Sequence, residues 1–199
     1  ELIDWLQQFA GYLISGSTKE QFLLFLYGSG ANGKSVLIRI LQTLLGDYGV
    51  NVAPETLEVK ITGGGGATED LARLKGKRAA FTTETNTKSR FNEGLIKSLT
   101  GGDRITARPL YGHLFEFDPT HKILISGNHK PNISGTDDGI WRRIRLIPCE
   151  AQFLGDRADP GLEAKLLNEL EHIAAWVLEG WDLYQISGSL SNLPKRIID

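Results

Sequence analysis

The chain has 199 residues, with 22 basic and 24 acidic side chains, a net charge of −2 and a hydrophobic fraction of 41%. That length supports one ordinary domain, or a core with small helical additions, and it can bury a substantial apolar centre. No apolar run is long enough to span a bilayer, no signal-peptide pattern is present, and the four histidines and single cysteine lack metal-site spacing. A membrane span, a disulfide framework and a zinc site are therefore set aside, and a soluble cytoplasmic domain is expected. The start at Glu1 and the absence of methionine read as an excerpt from a longer protein.

Leu2, Ile3, Trp5, Leu6, Phe9, Ala10 and Leu13 fall at helical spacing and predict a leading helix, broken by Ser15-Gly16-Ser17-Thr18. Phe22 to Tyr27 is a continuous apolar run that reads as a buried strand. It leads directly into Gly28-Ser29-Gly30-Ala31-Asn32-Gly33-Lys34-Ser35, which fills every fixed position of G-x-x-x-x-G-K-[ST]. Val36, Leu37, Ile40, Leu41, Leu44 and Leu45 then recur with helical period, and Gly46 stands where a C-terminal cap belongs. A glycine-rich loop between strand and helix lets backbone N–H groups wrap a polyphosphate at the positive end of the helix. Lys34 adds a point charge and Ser35 a hydroxyl for Mg²⁺.

Val50 to Val52 predicts a short strand, Pro54 opens a loop, and Thr62-Gly63-Gly64-Gly65-Gly66 predicts a mobile loop within the domain. Thr68 has the position of a helix cap ahead of Glu69, Asp70, Leu71 and Leu74. Lys77 to Glu84 is extended and ends in a carboxylate, at the edge where ligands bind in open α/β sheets. Glu84 there can polarise a water against a γ-phosphate, or serve as a capping or turn carboxylate. A helix over Asn92 to Leu99 ends at Gly101-Gly102. Strands 104–108 and 113–117 join through Pro109-Leu110-Tyr111-Gly112 as a hairpin. Lys122 to Asn128 is a further buried strand ending in an amide, and Cys149 closes an apolar run as a small core residue. Leu162 to Tyr184 carries one helical stripe that reads as core packing. Strands alternating with helices predict an α/β fold with a mostly parallel sheet covered on both faces. From Arg73 to His113 there are nine basic residues against three acids, and from Glu150 to Asp199 four against nine. A basic middle of this kind faces nucleic acid or forms ordinary solvated surfaces.

The order of P-loop, strand ending in Glu84, the segment Lys97-Ser98-Leu99-Thr100-Gly101-Gly102-Asp103-Arg104-Ile105-Thr106-Ala107-Arg108, strand ending in Asn128, and Trp141-Arg142-Arg143 resembles a superfamily 3 helicase. The likeness is to the C-terminal ATPase domain of phage and plasmid primase-helicases, whose relatives include poxvirus-type ATPases, and it covers nearly the whole chain. It implies an AAA+-type P-loop NTPase fold with a β-hairpin insertion and helical additions at both ends. Residues 1–20 would be a packing helix, 21–150 the ATPase core and 151–199 a helical segment. It implies a ring, usually a hexamer, around single-stranded or forked DNA, with ATP and Mg²⁺ held between subunits, and leaves open a primase domain preceding Glu1.

Carried over by position, the resemblance makes Lys34 and Ser35 phosphate and Mg²⁺ ligands, Glu84 the Walker B acid, Asn128 the sensor of the γ-phosphate, and Arg143, with Arg142 less favoured, the finger that completes a neighbour's site. Thr83 stands where many members have a second acid, which leaves the metal to Ser35, Glu84 and water. The hairpin tip would enter the central channel with Tyr111 and His113, and Lys97, Arg104 and Arg108 would supply charge. The alternatives are structural: Arg142 and Arg143 paired with Asp137, Asp138 or Glu150, and Arg104 and Arg108 paired with Glu116 and Asp118. A DNA-dependent ATPase motor in replication of a phage, prophage or plasmid is the leading expectation. A P-loop kinase and a protein-remodelling AAA+ NTPase that never grips DNA are the competing ones.

Overall fold

The structure, a computed structural model, describes residues 1–59, 68–83, 90–131, 133 and 138–197. In chain order it contains α1 (Leu2–Ile14), β1 (Leu23–Tyr27), α2 (Lys34–Leu45), β2 (Gly49–Asn51), α3 (Glu69–Ala72), β3 (Ala79–Thr83), α4 (Glu93–Gly101), β4 (Ile105–Ala107), β5 (Phe115–Phe117), β6 (Lys122–Gly127), α5 (Asp138–Trp141), β7 (Ile144–Pro148), α6 (Leu162–Asn168) and α7 (Leu170–Ser187). The expected glycine-rich loop at 62–66 lies outside the described residues, as does Glu84.

Five strands form one parallel sheet in the order β2-β3-β6-β1-β7, and β4 and β5 form a separate antiparallel hairpin. Side-chain alternation sorts the sheet onto two faces. Leu23, Phe25, Ala80, Ile123, Ile125 and Leu146 face one core with α4 and the hairpin's Ile105, Ala107 and Phe117. Leu24, Leu26, Phe81, Leu124 and Ile147 face the other, with Trp5 and Phe9 of α1, Leu41 and Leu45 of α2, and Tyr184 of α7. The sheet is thus buried on both faces, which explains why β1 and β6 read as unbroken apolar runs.

The helical additions are joined through their backbones. A Cβ on Gly11 would stand 2.0 Å from the Trp181 N, and one on Gly180 2.0 Å from the Gln7 O, so only glycine lets α1 and α7 approach this closely. Trp5 then donates its indole N–H to the Leu190 O at 3.1 Å, tying the two ends of the chain together.

Several elements differ from expectation. β7 is a strand that the sequence pattern does not predict, because Ile144-Arg145-Leu146-Ile147-Pro148 is short and carries an arginine and a proline. Arg145 is accommodated with its guanidinium 5.5 Å from the centre of the Phe22 ring. The single tail helix is two, α6 and α7, divided at Glu169. Its stripe is only partly core, since Val177 and Tyr184 are buried while Leu162 and Leu178 are exposed. Thr68 precedes α3 as expected, but its side chain does not cap. The hydroxyl accepts from the Arg108 N at 2.8 Å and docks α3 against the hairpin.

Candidate nucleotide site

β1, β3 and β6 run in parallel and in register, with Tyr27 beside Gly127 and Thr83 beside Ser126, so the segments that follow them emerge at one edge. The chain leaves β1 toward β2 on one side, while the neighbouring β6 sends it past β1 to β7 on the other, so the connections diverge between β1 and β6. A crevice at the carboxyl edge is the geometric result. It is a cavity of about 300 Å³ lined by the P-loop, the start of α2, Thr83 and Asn128.

The loop folds as its glycines require. Gly28, Gly30 and Gly33 take φ of 151°, 23° and 81°, and Ala31 joins them at 53°. At Gly28 any side chain is also excluded by space, since a Cβ would meet the Cys149 O at 2.3 Å. Lys34 opens α2, and its side chain is only 6% exposed. Its Nζ donates to the Gly28 O at 2.6 Å and to the Asn32 Oδ1 at 2.9 Å. Burial lowers its pKa from the usual lysine value, and the nearby Cys149 thiol offsets part of that shift. Asn32 Nδ2 in turn donates to the Cys149 O at 2.9 Å, so Cys149, half-buried, braces the loop as well as filling space. Sequence reasoning missed that bracing because β7 was not recognised. Ser35 is exposed within the cavity wall.

Arg142 and Arg143 sit immediately before β7, whose first residue Ile144 pairs with Leu23 at the opposite end of β1. The five residues of β1 separate them from their own P-loop by about 16 Å at 3.3 Å per residue. Arg143 is half-buried, and its Nη1 donates to the Thr100 Oγ1 of α4 at 3.2 Å. Burial and the neighbouring Arg142 lower its pKa, while Asp103 opposes the shift. Arg142 is exposed, and among the described residues its guanidinium has no hydrogen bond or ion pair. No described pairing joins either arginine to Asp138 or Glu150; Asp137 lies outside the described residues.

The hairpin tip is accounted for in part. Tyr111 is 99% exposed at φ 59°, and His113 is exposed beside it. The turn therefore places its positive φ on Tyr111, not on Gly112. Gly112 is needed for room, because a Cβ there would stand 2.6 Å from the Pro109 Cγ. Arg104 pairs with Glu116 at 3.4 Å and Asp118 at 3.5 Å, the structural alternative raised by its sequence position. Arg108 is engaged through its backbone with Thr68, and Lys97 is half-buried on α4. The structure thus groups Lys34, Ser35 and Asn128 in one cavity, with the arginine pair and the hairpin tip outside it.

Residues 26–143 match the model of a family of unknown function, DUF5906. The chain belongs to that family. Among curated proteins this DUF5906 chain is 39% identical over 141 residues to "Putative helicase" of Acanthamoeba polyphaga mimivirus, covering 71% of this chain and 15% of that protein. It is 28% identical over 165 residues to "Putative primase" of African swine fever virus, covering 79% of this chain and 16% of that protein. These names agree with the resemblance to primase-helicases, although the chain spans under one-fifth of either relative. Among solved structures, the NrS-1 C-terminal region superposes with a TM-score of 0.67 at 14% identity, over 86% of this chain and 40% of that one, which establishes a shared fold. No described helix is long and apolar enough to cross a membrane.

Proposed function

We propose that this chain is the ATP-hydrolysing motor module of a replicative DNA helicase, working as a ring with its catalytic sites between subunits. The observation that carries the reading is the cavity that gathers Lys34, Ser35, Thr83 and Asn128 at one sheet edge, in a chain whose relatives bear helicase and primase names. Left-handed loop residues ahead of a helix turn successive N–H groups toward an anion, and the α2 N-terminus adds its partial positive charge. Lys34 leaves its contacts with the Gly28 O and Asn32 Oδ1 for the phosphates. The exposed Ser35 hydroxyl suits Mg²⁺, and Thr83, at the end of β3, lines the same cavity. Ser35 would hold the metal, which would supply charge neutralisation to the bound phosphates. Glu84, next after Thr83, orients the attacking water, and Asn128 reads the γ-phosphate.

The arginine pair completes a neighbour's site, because its own P-loop lies at the far end of β1. Of the two, Arg142 is the free guanidinium, while Arg143 holds the end of α4 through Thr100. This reverses the preference drawn from sequence.

Measuring ATP turnover with and without single-stranded DNA, alongside particle mass, tests the reading in wild type and Lys34→Ala. The expected result is an oligomer whose turnover rises with DNA and is abolished by the substitution. A monomeric ATPase indifferent to DNA would instead favour a small-acceptor kinase. An oligomer indifferent to DNA would favour a protein remodeller, for which the protruding Tyr111 is equally suited.

A further inference from the structure

Beside the phosphate cavity a second cleft of about 490 Å³ runs along the outer side of the P-loop. The two share Ala31, Gly33 and Val36, so they adjoin around the first turn of α2. The far wall comes from the segment after β7, through Phe153, Pro160 and Leu162. Phe153 and Leu162 are 49% and 39% exposed, leaving apolar surface uncovered next to a polar loop. This wall is fastened to the loop. The Phe153 N donates to the Ala31 O at 2.8 Å, Gln152 Nε2 donates to the Ser29 O and Oγ at 3.0 Å each, and Arg39 of α2 pairs with Glu163 at 3.1 Å.

We propose that this cleft holds the nucleobase of the bound nucleotide, with Phe153 as its stacking platform. The inference rests on the nucleotide-site reading above. A triphosphate with its terminal phosphates in the loop has its γ end toward Thr83 and Asn128, so the nucleoside leaves on the opposite side, past the first turn of α2, where the cleft begins. A flat ring there covers Val36 and Leu162 and lies against the Phe153 ring, which rewards any aromatic base. The cleft's carboxylates are already engaged. Asp159 accepts from the Lys165 Nζ at 2.7 Å and the Gly161 N at 3.0 Å, and Glu163 accepts from Arg39. Phe153, Val36 and Leu162 act on the faces of the ring, so the cleft reads the base by shape.

Calorimetric titration of Mg-ATP, Mg-GTP and inorganic tripolyphosphate into wild type, Phe153→Ala and Leu162→Asn separates the possibilities. Wild type should hold ATP more tightly than tripolyphosphate, and GTP within about tenfold of ATP, since a pocket that reads shape cannot strongly reject a similar ring. Phe153→Ala should weaken ATP about tenfold through lost stacking and leave tripolyphosphate unchanged, because the backbone bond to Ala31 survives the substitution. Leu162→Asn, on another part of the wall, should show the same split. Equal losses for ATP and tripolyphosphate, or no loss for ATP, would overturn the base cleft, and a larger preference for ATP over GTP would overturn selection by shape. Wild type that binds none of the three overturns the nucleotide-site reading itself.

Discussion

Both ring nitrogens of His121 are buried without a hydrogen-bond partner among the described residues, and the residue is 2% exposed. Burial, reinforced by the adjacent Lys122 charge, pushes its pKa down from 6.5 to about 4. Between those values the unfolded chain binds more protons than the folded one, so stability falls as pH drops from 6.5 toward 4, by about 3 kcal/mol in all. His121→Phe should remove that part of the acid sensitivity, read as a smaller loss of urea midpoint between pH 7 and pH 4.5 than wild type shows. An identical loss in both proteins would refute the assignment. Lys122 has the same sign in a higher window. Its pKa is lowered from 10.5 to about 7 by burial and by Arg78, so its contribution makes the fold more stable as pH rises through that range. At this scale the sequence told most where placement depends on register alone, as for Lys34 and Ser35 at the start of α2. It could not tell that Arg143 is held in place, because its partner Thr100 is 43 residues away in the chain.

On the proposed reading, the hairpin is the element that would contact DNA. Its inner residues Ile105, Ala107 and Phe117 are core, which leaves the tip as the part able to meet a strand. With Arg104 committed to Glu116 and Asp118, Tyr111 and His113 are the exposed candidates there. A Tyr111→Ala, His113→Ala double variant should keep basal turnover and assembly while losing single-strand affinity and unwinding. Each lost phosphate contact should flatten the log-log salt dependence of binding by roughly 0.7. Wild-type unwinding with an unchanged salt slope would remove the tip from the mechanism. The hairpin was legible from its turn residues and alternation, as was α4 from Asn92, whose side chain accepts from the Leu95 N at 3.1 Å. β7 and the break at Glu169 were not, since both are decided by packing that local pattern does not encode.

For the whole molecule, the parallel sheet was legible from strands alternating with helices, but the strand order that separates the arginine pair from the P-loop is a property of topology alone. That separation makes a complementation experiment decisive. Glu84→Gln chains mixed with Arg142→Ala, Arg143→Ala chains should recover part of the lost turnover, because some interfaces then pair an intact P-loop edge with an intact arginine pair. An arginine finger contributes roughly 10³ to 10⁵ in rate, so even a few restored interfaces are measurable. No recovery in a mixture shown to co-assemble would count against action between subunits. The arginine pair and the P-loop lie at opposite ends of one five-residue strand, so on the proposed reading no isolated chain completes its own site. Turnover per chain should therefore not be a constant. It should climb with chain concentration and fade on dilution, and no excess of nucleotide should rescue it.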